Sequence, residues 1–276
     1  MGVEAPATDD GCPESEAAQA AEGGRLGERD AVYFVSDAHF GLDRNERLRV
    51  TRFGGFAALV RAQAARLYIV GDFFDFWVEY KDAIRPEYFP VLHELRGIVE
   101  AGVPVHYIAG NHDFAMGSFM EKYVGLTLHR GCVDAEIQGR RIHISHGHRV
   151  GRGPAQRLSD ALLANKTLQR LYKLLHPNIG VWLGELVSAA SRMKSRKGEI
   201  PPAALEKYRR AARARLKSGK SDLVVFAHTH YGEVLRFSEG EYCNTGSWMD
   251  RYDYAVLRNG KITLMKWNPP QPPPPR

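Results

Sequence analysis

Cysteine is scarce in this sequence, and long apolar runs are missing. The three cysteines, Cys12, Cys132 and Cys243, are odd in number and far apart, so they predict no C-x-x-C zinc pattern and no disulfide framework. No run of about 18 apolar residues is present, so we expect no transmembrane helix. The N-terminus has neither the basic nor the apolar region of a secretory signal. These absences predict a protein of the reducing cytoplasm.

The composition predicts one folded region between two unpacked ends. Of the 276 residues, 44% are hydrophobic and 25% are charged, as in ordinary soluble proteins. Residues 1–30 are rich in Ala, Gly and acidic residues and nearly lack large apolar ones, so we expect a disordered tail. Residues 268–276 are mostly proline and predict a second, extended tail. The folded region is expected to span residues 31–267.

Positive charge is concentrated in one block. Residues 149–220 carry 17 Lys and Arg against 4 Asp and Glu, although the net charge of the whole chain is only +6. Such a block indicates an anionic partner, which could be phosphate groups, nucleic acid or an acidic membrane surface.

Five short polar fragments each follow an apolar run with the composition of a β-strand. In an extended chain, residues i and i+2 lie on one side, so Asp37 and His39 reach one point beyond their strand. In open α/β sheets, ligands bind beyond the carboxyl ends of the strands. We therefore expect one site to collect Asp37-Ala38-His39, Gly71-Asp72-Phe73-Phe74-Asp75, Gly110-Asn111-His112-Asp113, Ser145-His146-Gly147-His148 and Ala227-His228-Thr229-His230.

The order of predicted elements favours an α/β fold with two sheets. From Ala31 to Tyr123, strands and helices alternate as β-α-β-α-β, which implies a largely parallel sheet. A hairpin around Gln138-Gly139-Arg140 follows, and turns that contain glycine separate the predicted strands after Lys220. We expect those later strands to be antiparallel. Two packed sheets with helices outside, an α/β/β/α sandwich, fit this order.

Seven side chains of the fragments are candidate metal ligands. A set of oxygen and nitrogen ligands without a thiolate suits Mn, Fe, Zn or Mg. Two metals that share a carboxylate lie about 3.5–4 Å apart in two-metal hydrolases, and Asp72 is the candidate bridge because it lies in the middle of the order. Taken singly, each fragment is more simply a turn or a capped loop. The seven candidates are Asp37, His39, Asp72, Asn111, His146, His228 and His230.

This ordered set resembles the calcineurin-like metallophosphoesterase superfamily over residues 31–267. The resemblance implies a two-sheet sandwich with a dinuclear site. It assigns Asp37, His39, Asp72 and His230 to the first metal, and Asp72, Asn111, His146 and His228 to the second. It also implies that His112 is catalytic and contacts the phosphoryl group or protonates the leaving oxygen. Asp113 is then predicted to orient His112, as a carboxylate does for a working imidazole.

Within that superfamily, several segments look like the UDP-2,3-diacylglucosamine pyrophosphatases. That resemblance implies cleavage of a UDP-linked lipid sugar into a lipid monophosphate and UMP during lipid A assembly, with Mn²⁺ as the usual metal. Two residues depart from the pattern: His112 replaces an arginine of well-known members, and His148 replaces an aspartate of many. The similar segments are Ser36–His39, Gly71–Trp77, Gly110–Phe114, His176–Gly180 with Ser191-Arg192, and Tyr242–Trp248.

The basic block, an insert at about residues 150–220, also contains two apolar stripes of helical spacing, with Pro177 and Gly180 between them. One interpretation is an amphipathic helix pair packed on the core. The other is a lid whose apolar side holds acyl chains and whose cations hold phosphate or anionic headgroups at the inner membrane. Ser191, Arg192 and Lys194 are candidate substrate-binding residues, and a solvated helix end is the alternative for them. The stripes are Leu158, Leu162, Leu168, Leu171, Leu175, and Trp182, Leu183, Leu186, Val187, Ala190, Met193.

Two other functions fit parts of the pattern. A phosphodiesterase for nucleic acid or cyclic nucleotides would use the same metals and grip phosphates with the basic block. The apolar stripes and the lack of an aromatic ladder for bases argue against nucleic acid. A binding module that has lost catalysis is the second alternative, and the complete ligand set argues against it. The sequence leaves Mn²⁺, Mg²⁺, Fe and Zn²⁺ open and does not give the oligomeric state.

Overall fold

The first long strand, Ala31–Val35, shows how alternation builds the core. All five of its side chains are buried. Tyr33 and Val35 belong to one apolar cluster, whereas Val32 and Phe34 belong to another, because successive side chains of a strand point to opposite faces. The computed structural model describes residues 16–17, 29–41, 46–113, 115–153, 165–184, 186 and 201–268.

Two six-stranded sheets form the centre of the molecule. The first has the order β12-β11-β2-β3-β4-β5, and the second has the order β1-β6-β7-β8-β10-β9. The strands are β1 (Glu16–Ala17), β2 (Ala31–Val35), β3 (Ala64–Val70), β4 (Val105–Ile108), β5 (Thr127–His129), β6 (Val133–Ile137), β7 (Arg140–Ile144), β8 (Leu223–Phe226), β9 (Glu233–Phe237), β10 (Gly240–Asn244), β11 (Asp253–Arg258) and β12 (Lys261–Lys266).

Helices cover the outer faces of both sheets, which confirms the predicted α/β/β/α sandwich. Helices α1 (Glu46–Gln63) and α2 (Phe89–Glu100) bury residues in the cluster that lies on the first sheet. Helix α4 (Pro202–Lys217) packs Tyr208, Ala212 and Leu216 against the second sheet. A further apolar cluster fills the space between the sheets. The remaining helical segments are a 3₁₀ turn at Pro86–Tyr88, a π-helical turn at Met120–Val124, α3 (Lys166–Tyr172) and residues 177–184.

The later strands are only partly antiparallel, so that expectation is wrong for β8. Strand β8 pairs in parallel with both β7 and β10, while β9 pairs with β10 in an antiparallel hairpin. The tight turn between β9 and β10 keeps them adjacent and sends β9 to the edge of the sheet. Strand β5, which the sequence reading missed, adds in parallel to β4.

Two expectations about the ends and the cysteines need correction. Glu16 and Ala17 pair in parallel with Val133 and Asp134, so the predicted N-terminal tail contains a short strand. The rest of residues 1–28 and residues 269–276 lie outside the described part. Cys132 is disulfide-bonded, although the sequence predicted no disulfide framework, whereas Cys243 is a buried free thiol. Among the described residues, no helix is long and apolar enough to cross a membrane.

The apolar stripes of the insert are exposed wherever the structure describes them. Leu171 is 57% exposed, Leu186 48% and Trp182 60%. Core packing therefore does not account for these side chains. We call residues 165–184 with residue 186 the lid segment. The stripe residues Leu158, Leu162, Val187, Ala190 and Met193 lie outside the described residues.

The cations of α4 are partly neutralised by acids of neighbouring strands. Arg215 binds both carboxylate oxygens of Asp134 at 2.6 and 2.7 Å, and Arg209 binds Glu233 at 2.6 and 3.1 Å. The charge of the basic block is therefore only partly available to an external anion.

Candidate active site

The five polar fragments meet at the carboxyl ends of the strands, as predicted. Asp37 follows β2, Asp72 follows β3, Asn111 follows β4, His146 follows β7 and His228 follows β8. Backbone bonds hold the first two fragments side by side, since the N–H of Asp37 donates to Gly71 at 3.1 Å and that of His39 donates to the Asp72 carbonyl at 3.1 Å. Both sheets thus contribute to one site.

The backbone at this site is held in a conformation that side-chain-bearing residues seldom adopt. Five of the seven candidate ligands have positive φ: Asp37 (49°), His39 (46°), Asp72 (50°), His228 (67°) and His230 (55°). Left-handed backbone costs about 1–2 kcal/mol for a residue with a Cβ. Strain of this kind concentrates at functional sites, where the surrounding structure enforces it. Because of these tight turns, the side chains of neighbouring fragments lie close together.

Two glycines allow the fragments to approach closely. A Cβ on Gly110 would lie 2.2 Å from the Asp72 carboxylate, and a Cβ on Gly71 would lie 2.6 Å from the His146 ring. Both contacts are too short for any larger residue. The glycines of the second and third fragments are therefore required by the packing around Asp72.

The first cluster contains Asp37, His39 and His230, whose ligand-type atoms lie within 4.8 Å of one another. The Asp37 carboxylate lies 3.2 Å from Nε2 of His230 and accepts the backbone N–H of His228 at 3.1 Å. Burial alone raises the pKa of Asp37, but the attraction of His230 outweighs it and lowers the pKa to about 2. The carboxylate is therefore ionised at neutral pH.

The second cluster contains Asp72, His146 and His228. Nε2 of His146 lies 3.2 Å from the Asp72 carboxylate and 3.1 Å from Nδ1 of His228. The Nδ1–H of His146 donates to the Val70 carbonyl at 2.8 Å, which leaves Nε2 free to face the cluster. Burial raises the pKa of Asp72, yet the neighbouring His146 and His112 keep it well below its usual range.

A third group, His39, Asp75 and His112, joins the first cluster. The Nδ1–H of His112 donates to the backbone carbonyl of Asp75 at 2.7 Å, and the Asp75 carboxylate lies 3.4 Å from Nδ1 of His39. The rings of His112 and His39 meet edge to face with centroids 4.8 Å apart. Asp75 therefore positions both histidines. Sequence reasoning did not assign Asp75, although the second aspartate of Gly-Asp-x-x-Asp was a visible signal.

The prediction that Asp113 orients His112 is wrong. The buried Asp113 carboxylate accepts hydrogen bonds from the hydroxyl of Tyr107 and from the backbone N–H groups of Phe73 and Gly110. Burial together with Asp72 raises its pKa to about 6. Asp113 thus braces the loops beneath the site, and the carbonyl of Asp75 orients His112 instead.

The clusters have the chemistry of a cation site. Oδ1 of Asn111 and Nε2 of His39 are buried, and neither has a hydrogen-bond partner among the described residues. Buried polar atoms are normally paired, so these two atoms are available to an ion. Together with the ionised carboxylates of Asp37 and Asp72, they give the oxygen and nitrogen donors that divalent metals prefer. The residues present therefore fit divalent metal ions.

His148 was noted in the sequence only as a departure from a pattern. Its ring centroid lies 5.5 Å from that of His146 and 6.4 Å from that of His228. Burial, together with the charge of His146, keeps its pKa well below the usual value. The structure thus adds a third imidazole beside the second cluster.

An apolar groove of about 460 Å³ opens next to the site. One wall is the loop after Asp75, including Phe76, Trp77 and Tyr80, and the other wall is the lid segment, including Val181 and Trp182. Gly180 and Gly184 allow the lid segment to lie directly on Tyr80 and Phe76. The three predicted lid contacts, Ser191, Arg192 and Lys194, lie outside the described residues.

The fold and these clusters define a metal-dependent phosphoesterase. The family profile described as calcineurin-like phosphoesterase matches residues 31–232, and the chain belongs to that family.

Several curated relatives of the chain share one name. It is similar to the UDP-2,3-diacylglucosamine hydrolase of Porphyromonas gingivalis, with 28% identity over 86% of this chain and 97% of that protein. The enzyme of that name from Proteus mirabilis is 31% identical over 71% of this chain and 80% of its own length. The one from Neisseria meningitidis serogroup A is 25% identical over 82% of this chain and 92% of its own length.

Proposed function

We propose that this protein hydrolyses the pyrophosphate of UDP-2,3-diacylglucosamine to 2,3-diacylglucosamine 1-phosphate and UMP, a step of lipid A biosynthesis. The observation that carries the proposal is the apolar groove beside the His/Asp clusters. A substrate that carries both a pyrophosphate and acyl chains requires a polar cluster and an apolar groove close enough for one substrate molecule to reach both. The names of the relatives in Porphyromonas and Proteus support the same substrate.

Two divalent metals, with Mn²⁺ as our first choice, complete the proposed site. Asp37, His39, Asp72 and His230 would hold one, and Asp72, Asn111, His146 and His228 would hold the other. Bound metals of this kind supply Lewis acidity and a nucleophile at neutral pH. The tight left-handed turns hold the donors in place before any ion arrives, so binding requires little rearrangement.

His112 is proposed as the catalytic histidine. It stands beside Asn111 and belongs to neither ligand set. Its Nδ1–H is engaged by Asp75, so Nε2 is the atom left to face a phosphoryl or leaving oxygen. Proton transfer of this kind contributes typically about 10²–10⁴-fold to a rate.

The groove and the lid segment are proposed to hold the acyl chains. Each buried methylene contributes about 0.8 kcal/mol, so even a partly enclosed chain adds strongly to affinity. The exposed apolar side chains and the cations of the insert would also hold the enzyme at the anionic cytoplasmic face of the inner membrane. We place the protein in the cytoplasm as a peripheral membrane enzyme.

The decisive experiment is mass spectrometry of the products after incubation with UDP-diacylglucosamine and Mn²⁺. We expect equal amounts of UMP and diacylglucosamine 1-phosphate. Single-stranded DNA and cyclic nucleotides serve as comparison substrates. Cleavage of either of these, with the UDP-lipid left intact, would replace the proposal by a nucleotide phosphodiesterase. A protein that retains bound metal and cleaves none of them would be a binding module.

A further inference from the structure

An aromatic and cationic pair lies beside the first cluster and is not part of the groove lining. Tyr231 follows His230 directly and is 39% exposed. The guanidinium carbon of Arg251 lies over its ring, 5.9 Å from the centroid. Arg251 forms no hydrogen bond or salt bridge with any other residue in the described part of the chain. Its N–H groups are therefore available to an anion, although its charge also attracts the Asp253 carboxylate.

Backbone N–H groups tie the two segments that carry these residues to the loops of the site. The N–H of Tyr231 donates to the hydroxyl of Thr229 at 3.3 Å. The turn before Arg251 is tied to the first fragment, since the N–H of Met249 donates to the Asp37 carbonyl at 3.0 Å. The pair thus belongs to a framework that the Asp37 cluster shares.

A row of contacts runs from the groove to this pair. Phe76, which lines the groove, follows Asp75, and the carbonyl of Asp75 accepts from His112. The His112 ring lies 4.8 Å from that of His39, which lies 5.3 Å from that of His230. Tyr231 is the next residue. The groove and the Tyr231–Arg251 pair therefore lie at the two ends of the histidine row.

We infer that Tyr231 and Arg251 form the subsite for the nucleoside monophosphate half of the substrate, the half that leaves as UMP. A tyrosine face stacks on a nucleobase, because every base has a π face. A guanidinium binds phosphate oxygens with two parallel N–H groups. The inference rests on the proposed function, since it places the nucleotide opposite the lipid across the bond that is cleaved.

The test measures UMP binding to the Mn²⁺-loaded protein by calorimetry, beside steady-state kinetics on UDP-diacylglucosamine. We expect Tyr231→Ala and Arg251→Ala each to weaken UMP binding and raise KM by about tenfold. Tyr231→Phe should restore the affinity because it keeps the ring. Tyr123→Ala is the matched control, since Tyr123 is 68% exposed on the π-helical turn after β4 and should bind UMP like the parent.

The outcomes separate the subsite from the reaction. If the parent cleaves the UDP-lipid but both variants bind UMP as it does, the subsite is wrong and the function stands. If the parent does not cleave the UDP-lipid but binds UMP in a way that depends on Tyr231, the subsite stands and the proposed function is wrong. A parent that does not bind UMP overturns the inference.

Discussion

The site loops and the lid segment differ in almost every physical respect. The candidate ligands Asp37, Asp72 and His146 are at most 2% exposed, and their loops are tied by backbone bonds to two sheets. In the lid segment, Leu171 and Trp182 are more than half exposed, and its contacts with the body run through Phe76 and Tyr80. The site loops are held in place by the fold, whereas the lid segment exposes apolar side chains to solvent.

The difference separates the chemistry from the choice of substrate. The buried site loops hold the candidate metal ligands in position. They tolerate few substitutions, because the side chains packed around them are themselves held in place. An exposed apolar segment gains stability only when something covers it. In this molecule the covering agent is expected to be the lipid part of the substrate or the membrane. Substitutions in the two regions should therefore change different measured quantities.

Replacing Asp72 by alanine should have the largest effect. Asp72 touches His146 and accepts the backbone N–H of His112 at 2.9 Å, and it is the proposed bridge between the metals. We expect activity to fall by about 10⁴-fold or more and bound metal to fall at both sites. Elemental analysis of the folded variant checks this. Two retained metals in an inactive protein would remove the bridging assignment.

Replacing His112 by alanine should be the next most damaging change. Because His112 is in neither proposed ligand set, the variant should keep both metals. Turnover should fall by about 10²–10⁴-fold, on a small aryl phosphodiester as well as on the UDP-lipid. Elemental analysis and kcat are the measurements. Parent-like turnover would show that the histidine only supports its loop.

In the lid segment, Trp182→Ala should change selectivity more than chemistry. Trp182 lines the groove, so its loss should lower the ratio of kcat/KM for the UDP-lipid to that for a small aryl phosphodiester by about tenfold, as expected for the loss of one aromatic contact with a bound acyl chain. Leu174→Ala is the matched control, since Leu174 is 81% exposed and does not line the groove. Equal kcat/KM ratios in the two variants would show that the groove wall of the lid segment does not determine substrate selectivity.

The contrast also explains what the sequence could predict. The site was readable because each fragment follows a strand, and parallel strands such as β2, β3 and β4 end at one edge of a sheet. The same reasoning placed His146 and His228 from the second sheet. The structure groups Asp37 with His39 and His230, and Asp72 with His146 and His228, while the assignment of one metal to each group stays a prediction.

The sequence did not predict which groups contact each other within the folded site. Asp113 follows His112 directly, but Tyr107, Phe73 and Gly110 take its carboxylate, and only the packed loops decide this. The position of β10 between β8 and β9 likewise depends on tertiary pairing. Exposure of the lid stripes could not be read either, because an amphipathic pattern is the same whether its apolar face is covered or open.

The smallest effect that we predict concerns the strained backbone of the site. His230 has a φ of 55°, and glycine adopts this conformation without the steric cost of a Cβ. His230→Gly and His230→Ala remove the same imidazole, so both should lose the same metal contact. In metal-free protein, the glycine variant should have a free energy of unfolding about 1 kcal/mol higher than the alanine variant. Urea titration in the presence of a chelator measures this difference.

A helical position in the basic block provides the control, because the difference in stability between its glycine and alanine variants should have the opposite sign. Arg210 is exposed on α4, where glycine is less stable than alanine by about 0.5–1 kcal/mol. Arg210→Gly should therefore unfold at lower urea than Arg210→Ala, although the same pair of residues is compared. If glycine is also the less stable residue at position 230, the loop gains nothing from the loss of a Cβ. The left-handed turn at that ligand would then not be a source of strain, and the rigid site would need another explanation.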